Sequence, residues 1–191
     1  MSIDKIEHIV RELGLPVSFS TEFWDHSENI HVQKNDFLLK KGRVCKYIGI
    51  VQQGAFYAYV PCEEDVTTDL FLPQAFITYY RSFLTQRPAH GAIKASVDSV
   101  VCAFSYSKYQ ELTQSKEWLL FFKYVADRLF IRKCARENSL ISNTALERYQ
   151  QLVLLHPGVE QLFPQYRIAS YLGIQPETLS RLKSLDLHQG N

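Results

Sequence analysis

Apolar and polar positions follow three rhythms along this chain, and each change of rhythm marks a change of structure. In residues 3–13, Ile3, Ile6, Ile9, Val10 and Leu13 recur at spacings of three and four, the stripe of a short helix that Gly14 and Pro16 end. From 29 to 109 the apolar runs shorten and turn residues interrupt them. Phe37-Leu38-Leu39, Tyr47-Ile48-Gly49-Ile50-Val51 and Ala55-Phe56-Tyr57-Ala58-Tyr59-Val60 read as strands, with Gly42 and Gly54 in the turns. Thr68 to Leu72, Ile93 to Val97 and Val100 to Phe104 continue the series. Many short strands between turns predict an antiparallel barrel or sandwich.

After Ser105 the period lengthens again. No Gly or Pro occurs from Ser107 to Ser142, and helix formers dominate. Between Trp118 and Ile131 the sequence is apolar on nearly every side: Trp118, Leu119, Leu120, Phe121, Phe122, Tyr124, Val125, Leu129, Phe130 and Ile131. A helix of that kind needs cover on more than one side. The strands supply one cover and a second copy of the chain supplies the other, so a homodimer is expected, with Val125 and Leu129 as positions where a charge splits the dimer or unfolds it. A further helix is predicted over 144–155, with Leu146, Tyr149, Leu152 and Val153 as its stripe. Thr144 or Asn143 is its cap, and His156-Pro157-Gly158 is its stop.

From Gln165 to Ser184 the pattern is that of two helices across a tight turn. Ala169 is the small residue where the helices touch, and Gly173 is the turn residue that tolerates positive φ. Ile168, Leu172, Ile174, Leu179 and Leu182 fall on the inner side. Pro176 suits the first turn of the second helix, and Glu177 suits its dipole. If that helix enters a DNA major groove, Glu177 accepts from a cytosine amine and Arg181 donates twice to a guanine. The two lie four apart on one face, a spacing that equally allows an ion pair within the helix. Ser180 adjoins them, and Gln175, Thr178 and Lys183 read as phosphate contacts.

Ile168-Ala169-Ser170-Tyr171-Leu172-Gly173-Ile174 followed by Glu177-Thr178-Leu179-Ser180-Arg181-Leu182 resembles the helix-turn-helix of the Crp/Fnr regulator superfamily. The Glu-Thr-x-Ser-Arg core is nearer the Fnr branch, and implies a half-site with a TTGA-like step. Phe37 to Gly42 and Tyr47 to Gly54 are similar to the family's early roll strands, and Val101 to Tyr106 to its last strand and the entry to the dimer helix. The resemblance implies an α+β fold. Its parts are an N-terminal antiparallel β-roll (a double-stranded β-helix) over 1–116, a dimerisation helix over 117–142 and a helix-turn-helix over 143–191. It also implies double-stranded DNA, a second copy and RNA polymerase as partners.

Two departures change the picture. No two-stranded wing is readable in Lys183 to Asn191. The family's cyclic-nucleotide cassette has Gly-Glu after a Phe and an Arg-Ser pair further on, to hold the ribose and the cyclic phosphate. Here Phe76-Ile77-Thr78-Tyr79-Tyr80 places Thr78 and Tyr79 at the first pair, and Ala89 and His90 stand near the second. No cAMP cofactor is therefore expected. Thr78, Tyr79, His90 and Lys94 could hold another effector, or the roll could be scaffold only.

Composition adds three points. The formal net charge is +1, but residues 123–191 carry 9 Lys/Arg against 6 Asp/Glu, a basic excess toward the DNA-facing end. Cys45, Cys62, Cys102 and Cys134 are widely spaced, which fits free thiols in a reducing compartment and neither a zinc nor an iron–sulfur set. The amphipathic start lacks a signal-peptide core, and no apolar run approaches the ~20 residues of a membrane span. A cytoplasmic protein with no membrane partner is expected. An enzyme of cupin type would need clustered histidines, and the six here are scattered. The competing reading is a ligand-binding or signalling roll whose DNA-binding half is degenerate.

Overall fold

The computed structural model describes the backbone of residues 2–189 and the side chains of 5–184. The side chain of Ile3 in the first stripe and residues 1 and 190–191 lie outside what is described. The chain opens with α1 (Ser2–Glu12) and α2 (Phe19–His26). Eight strands follow: β1 (Glu28–Val32), β2 (Phe37–Leu39), β3 (Tyr47–Gln53), β4 (Phe56–Val60), β5 (Val66–Phe71), β6 (Phe76–Ile77), β7 (Ala92–Ala95) and β8 (Ser99–Ser105). Helix α3 (Tyr80–Thr85) interrupts them. The rest is helical: α4 (Tyr106–Leu112), α5 (Lys116–Ser142), α6 (Ala145–Leu155), α7 (Val159–Leu162), α8 (Gln165–Leu172) and α9 (Pro176–Gln189).

The strands form two antiparallel four-stranded sheets, ordered β1-β8-β3-β6 and β2-β7-β4-β5. The architecture is thus α+β, with sheets in the N-terminal part and helices in the C-terminal part. Residues of β3 and β8 on one sheet face (Ile48, Ile50, Phe104) meet one face of α5. There Trp118, Phe121, Phe122 and Val125 are buried with Phe19 and Phe23 of α2. The rings meet mostly at a tilt or edge to face, Phe19 to Trp118 at 4.5 Å and Phe23 to Phe104 at 5.0 Å, the arrangement aromatic quadrupoles favour.

The helix read from 107 onward is two helices. Thr113, Gln114 and Ser115 break it without Gly or Pro, because Ser115 caps α5 by accepting from the Trp118 amide. Helices α2 and α3 are short and carry no long stripe, which is why periodicity did not mark them. Thr144 is the cap of α6. Its hydroxyl accepts from the Glu147 amide while the Glu147 carboxylate accepts from the Thr144 amide. Among the described residues no helix is long and apolar enough to cross a membrane.

A second apolar cluster crosses from sheet to helices. It joins Tyr57, Leu70 and Leu72 to Leu152, Phe163, Ile168 and Leu179. The strand region and the C-terminal helices therefore share a core rather than meeting only at a linker.

Of the cysteines, Cys62 is exposed while Cys45 and Cys102 are buried. Burial pushes the Cys102 thiol up to about 11, against a smaller opposing hydrogen bond from Ser27. Thiolate is the reactive form. A thiol-reactive dye at pH 8 should therefore label Cys62 quickly and reach Cys45 and Cys102 only after denaturant is added. Rapid labelling of all four in native buffer would contradict this packing.

Candidate nucleic-acid interface

The pair α8 and α9 is built as the sequence requires. Ile168 and Ala169 are fully buried on α8, and Leu179 is fully buried on α9 directly across from them. Ile174 and Leu182 are half-buried at the edge of the same small core. Gly173 turns the chain at φ 69°, in the left-handed region, with the Ile174 amide donating back to the Ala169 carbonyl at 3.0 Å. A side chain at Gly173 would also meet Leu140 of α5 at 3.1 Å.

Because Leu179 faces inward, the opposite side of α9 faces solvent. Glu177, Ser180, Arg181 and Ser184 form one exposed row at helical spacing. No ion pair joins Glu177 to Arg181 among the described residues, so both heads are available to a partner. Gln175 is exposed at the turn and Thr178 is half-buried. Lys183 departs from the expectation of a phosphate contact. It is half-buried on the far side and pairs with Glu160 of α7, so a phosphate would have to displace that carboxylate.

The charge distribution also corrects the sequence reading. Residues 143–191 hold four Lys/Arg and four Asp/Glu, and the basic excess of the last third lies in 123–142, on α5. Arg148, Arg167 and Lys183 are all engaged internally. Among the described residues of this segment, Arg181 is the cation without an internal partner.

The pair is anchored to β5, an edge strand. The Thr67 amide donates to the Ser170 hydroxyl at 2.8 Å, and that hydroxyl donates to the Asp65 carbonyl at 3.2 Å. Arg136 of α5 donates to the Thr67 carbonyl at 3.1 Å and to the Tyr171 carbonyl at 3.0 Å. Arg167 is buried, 2.9 Å from the Asp65 carboxylate, with Tyr57, Tyr59 and Tyr166 around its guanidinium at 4.6–4.8 Å. Burial works against its charge, but Asp65 and then Tyr57 outweigh it and hold Arg167 above its ordinary value.

The four residues considered for an effector sit in different surroundings. Thr78 is buried and its hydroxyl donates to the Tyr47 carbonyl at 2.9 Å. Tyr79 packs beside Gly91, where a side chain would strike its ring. His90 is exposed, and the Lys94 ammonium sits 5.2 Å from the Phe37 ring centre. Sequence reasoning passed over a different feature, the arginines 128, 132 and 136 at intervals of four on α5. They line a cavity between that helix, the strands and α6.

No protein-family model matches the sequence, and no curated protein matches it. Solved structures do share its fold. FixK2 from Bradyrhizobium japonicum superposes with a TM-score of 0.74 at 17% identity, over 86% of each chain. A putative Crp/Fnr-family regulator from Eubacterium rectale gives 0.68 at 14%, over 93% of this chain and 86% of its own. CLP of Xanthomonas campestris, a regulator responsive to c-di-GMP, gives 0.64 at 12%, over 92% and 93%. The chain therefore has the fold of Crp/Fnr regulators across most of its length.

Arg167 tests the anchoring. Arg167→Ala strips Asp65 of its partner and opens a gap among three rings, and should lower the urea-unfolding free energy by about 1–3 kcal/mol. A change within about 0.5 kcal/mol, as at an indifferent surface site, would remove Arg167 from that role.

Proposed function

We propose that this chain is a sequence-specific DNA-binding transcription regulator of the Crp/Fnr type, in which α9 reads base edges in the major groove. One observation carries the reading: Glu177, Ser180 and Arg181 form an exposed row on a helix whose other side is locked onto α8 by Leu179. Arg181 reads a guanine and Glu177 a cytosine of the same or the neighbouring pair. Gln175 and Thr178 supply backbone contacts, and Lys183 joins them only by leaving Glu160. The regulator does not respond to cAMP, because Tyr79 and Ala89 stand where the ribose-binding Glu and phosphate-binding Arg belong and Tyr79 itself occupies the space beside Gly91.

The active form is a homodimer through α5. Trp118, Phe121, Phe122 and Val125 are used up in the chain's own core, and Leu129 packs against it. A charge at Val125 or Leu129 therefore tests folding rather than association. The free apolar face is a different one: Phe130, Ile131 and Ile141 are 68%, 57% and 85% exposed. Two copies joined along that row would offer two α9 helices to successive major grooves of an inverted repeat.

The competing reading, a roll that keeps the fold without reading DNA, draws support from the neutral balance of residues 143–191. Selection of bound sequences from random duplexes separates the two. A regulator yields an inverted repeat with half-sites about 34 Å apart, and the alternative yields no enriched sequence. On that operator, Arg181→Ala should cost roughly 1–3 kcal/mol per half-site and relax preference at one position. Unchanged affinity and preference in gel-shift titrations would refute the role given to α9. In sedimentation equilibrium the protein should run at about twice 22.2 kDa. Phe130→Glu with Ile131→Glu should give a folded monomer, and an unchanged dimer would place the interface elsewhere.

A further inference from the structure

We propose that the cavity between α5, the chain from Leu70 to Phe76 and helix α6 binds a phosphorylated small molecule, and that this is the effector site of the protein. It is a half-open cleft of about 640 Å³, within the roughly 300–1,000 Å³ typical of small-molecule sites. Five cationic side chains line it, Lys5, Arg128, Arg132, Arg136 and Arg148, and among the described residues no lining residue is acidic. Three of the arginines stand one helical turn apart on α5, a ladder of planar donors suited to bidentate capture of phosphate oxygens.

The nearby carboxylates answer only part of this charge. Glu12 takes Arg128 at 3.2 Å and Asp69 takes Arg132 at 2.8 Å. Burial pushes the Asp69 carboxyl above its usual range, with Arg132 pulling the other way. Lys5 is held below its ordinary value by burial, and then by Arg132 and Arg128. Among the described residues Lys5, Arg136 and Arg148 have no carboxylate partner. The buried Nε of Arg136 has no hydrogen-bond partner, although the same guanidinium donates to Thr67 and Tyr171. A bound phosphate supplies both the charge and the acceptor.

The opposite wall is apolar. Leu72, Leu152 and Leu155, with the ring of Tyr171, provide a surface for an aromatic or aliphatic body attached to the phosphate. The site also touches strands, α5, α6 and α8 at once. Phe130 and Ile141 lie on the far side of α5 from Arg128, Arg132 and Arg136, with Ile131 on the flank between. A dimer centred on Phe130 and Ile141 leaves the cavity open. The site does not depend on whether α9 reads DNA.

The test uses the full chain with three probes: pyrophosphate, ATP without magnesium, and adenosine. By calorimetry, pyrophosphate and ATP should bind at one site per chain, ATP more tightly for its apolar body, and adenosine should not bind detectably. Arg132→Gln should weaken both by at least about tenfold, the loss of one charge-assisted contact. Arg181→Ala, outside the cavity, should leave both unchanged, and duplex DNA should not compete. Absence of pyrophosphate and ATP binding, equal loss on Arg181→Ala, or displacement by duplex would overturn the proposal. Should Arg132→Gln fail to fold, hydrogen exchange on the native protein decides. Pyrophosphate must slow exchange in 132–140 and 148–156, and unchanged rates there would reject the site.

Discussion

β5 closes one sheet with an open edge, and a strand edge left bare offers its amides and carbonyls to any other chain. The rest of the C-terminal third is arranged around covering it. Ser170 takes the Thr67 amide and Arg136 takes the Thr67 carbonyl, so one residue of the edge fixes both α8 and α5. The apolar face of the strand imposes the same solution. Tyr57, Leu70 and Leu72 need cover, and Ile168 and Leu179 provide it. Once α8 lies there, Gly173 sets the turn, Leu179 sets the rotation of α9, and Glu177, Ser180 and Arg181 are left facing out.

Helix α5 serves three neighbours with one sequence. Its first half turns aromatic rings to the sheet, its middle carries arginines toward β5 and α6, and its outer side keeps Phe130, Ile131 and Ile141 in water. Such a helix is apolar on several sides and still strongly basic. Reading it as one amphipathic element loses that division.

The sequence made the C-terminal helices legible residue by residue. Ala169, Gly173 and Leu179 each answer a local steric demand, and the Thr144 cap and the Gly158 stop likewise depend on a few neighbours. The strands were legible as a series, because alternation and turns are local too. What escaped depended on contacts distant in the chain. The break at Ser115 is a side-chain cap with no Gly or Pro to announce it. The engagement of Lys183 is set by Glu160, from another helix. The choice of α5 face for the core is set by the aromatic side chains of α2, which no stripe revealed. The basic excess was counted correctly and placed wrongly, because a total over 123–191 cannot say that its charges gather on α5.

The bond between Thr67 and Ser170 spans 103 residues, and the two ends are not made at the same time. At ordinary translation speeds of about 5–20 residues per second, β5 waits roughly 5–20 s for the helix that completes it. During that interval the nascent sheet carries an unpaired margin beside Leu70 and Leu72, on a ribosome whose neighbours are making the same chain. The helices that finish the molecule thus also end a period of exposure to self-association, and the yield of folded protein depends on how quickly they arrive.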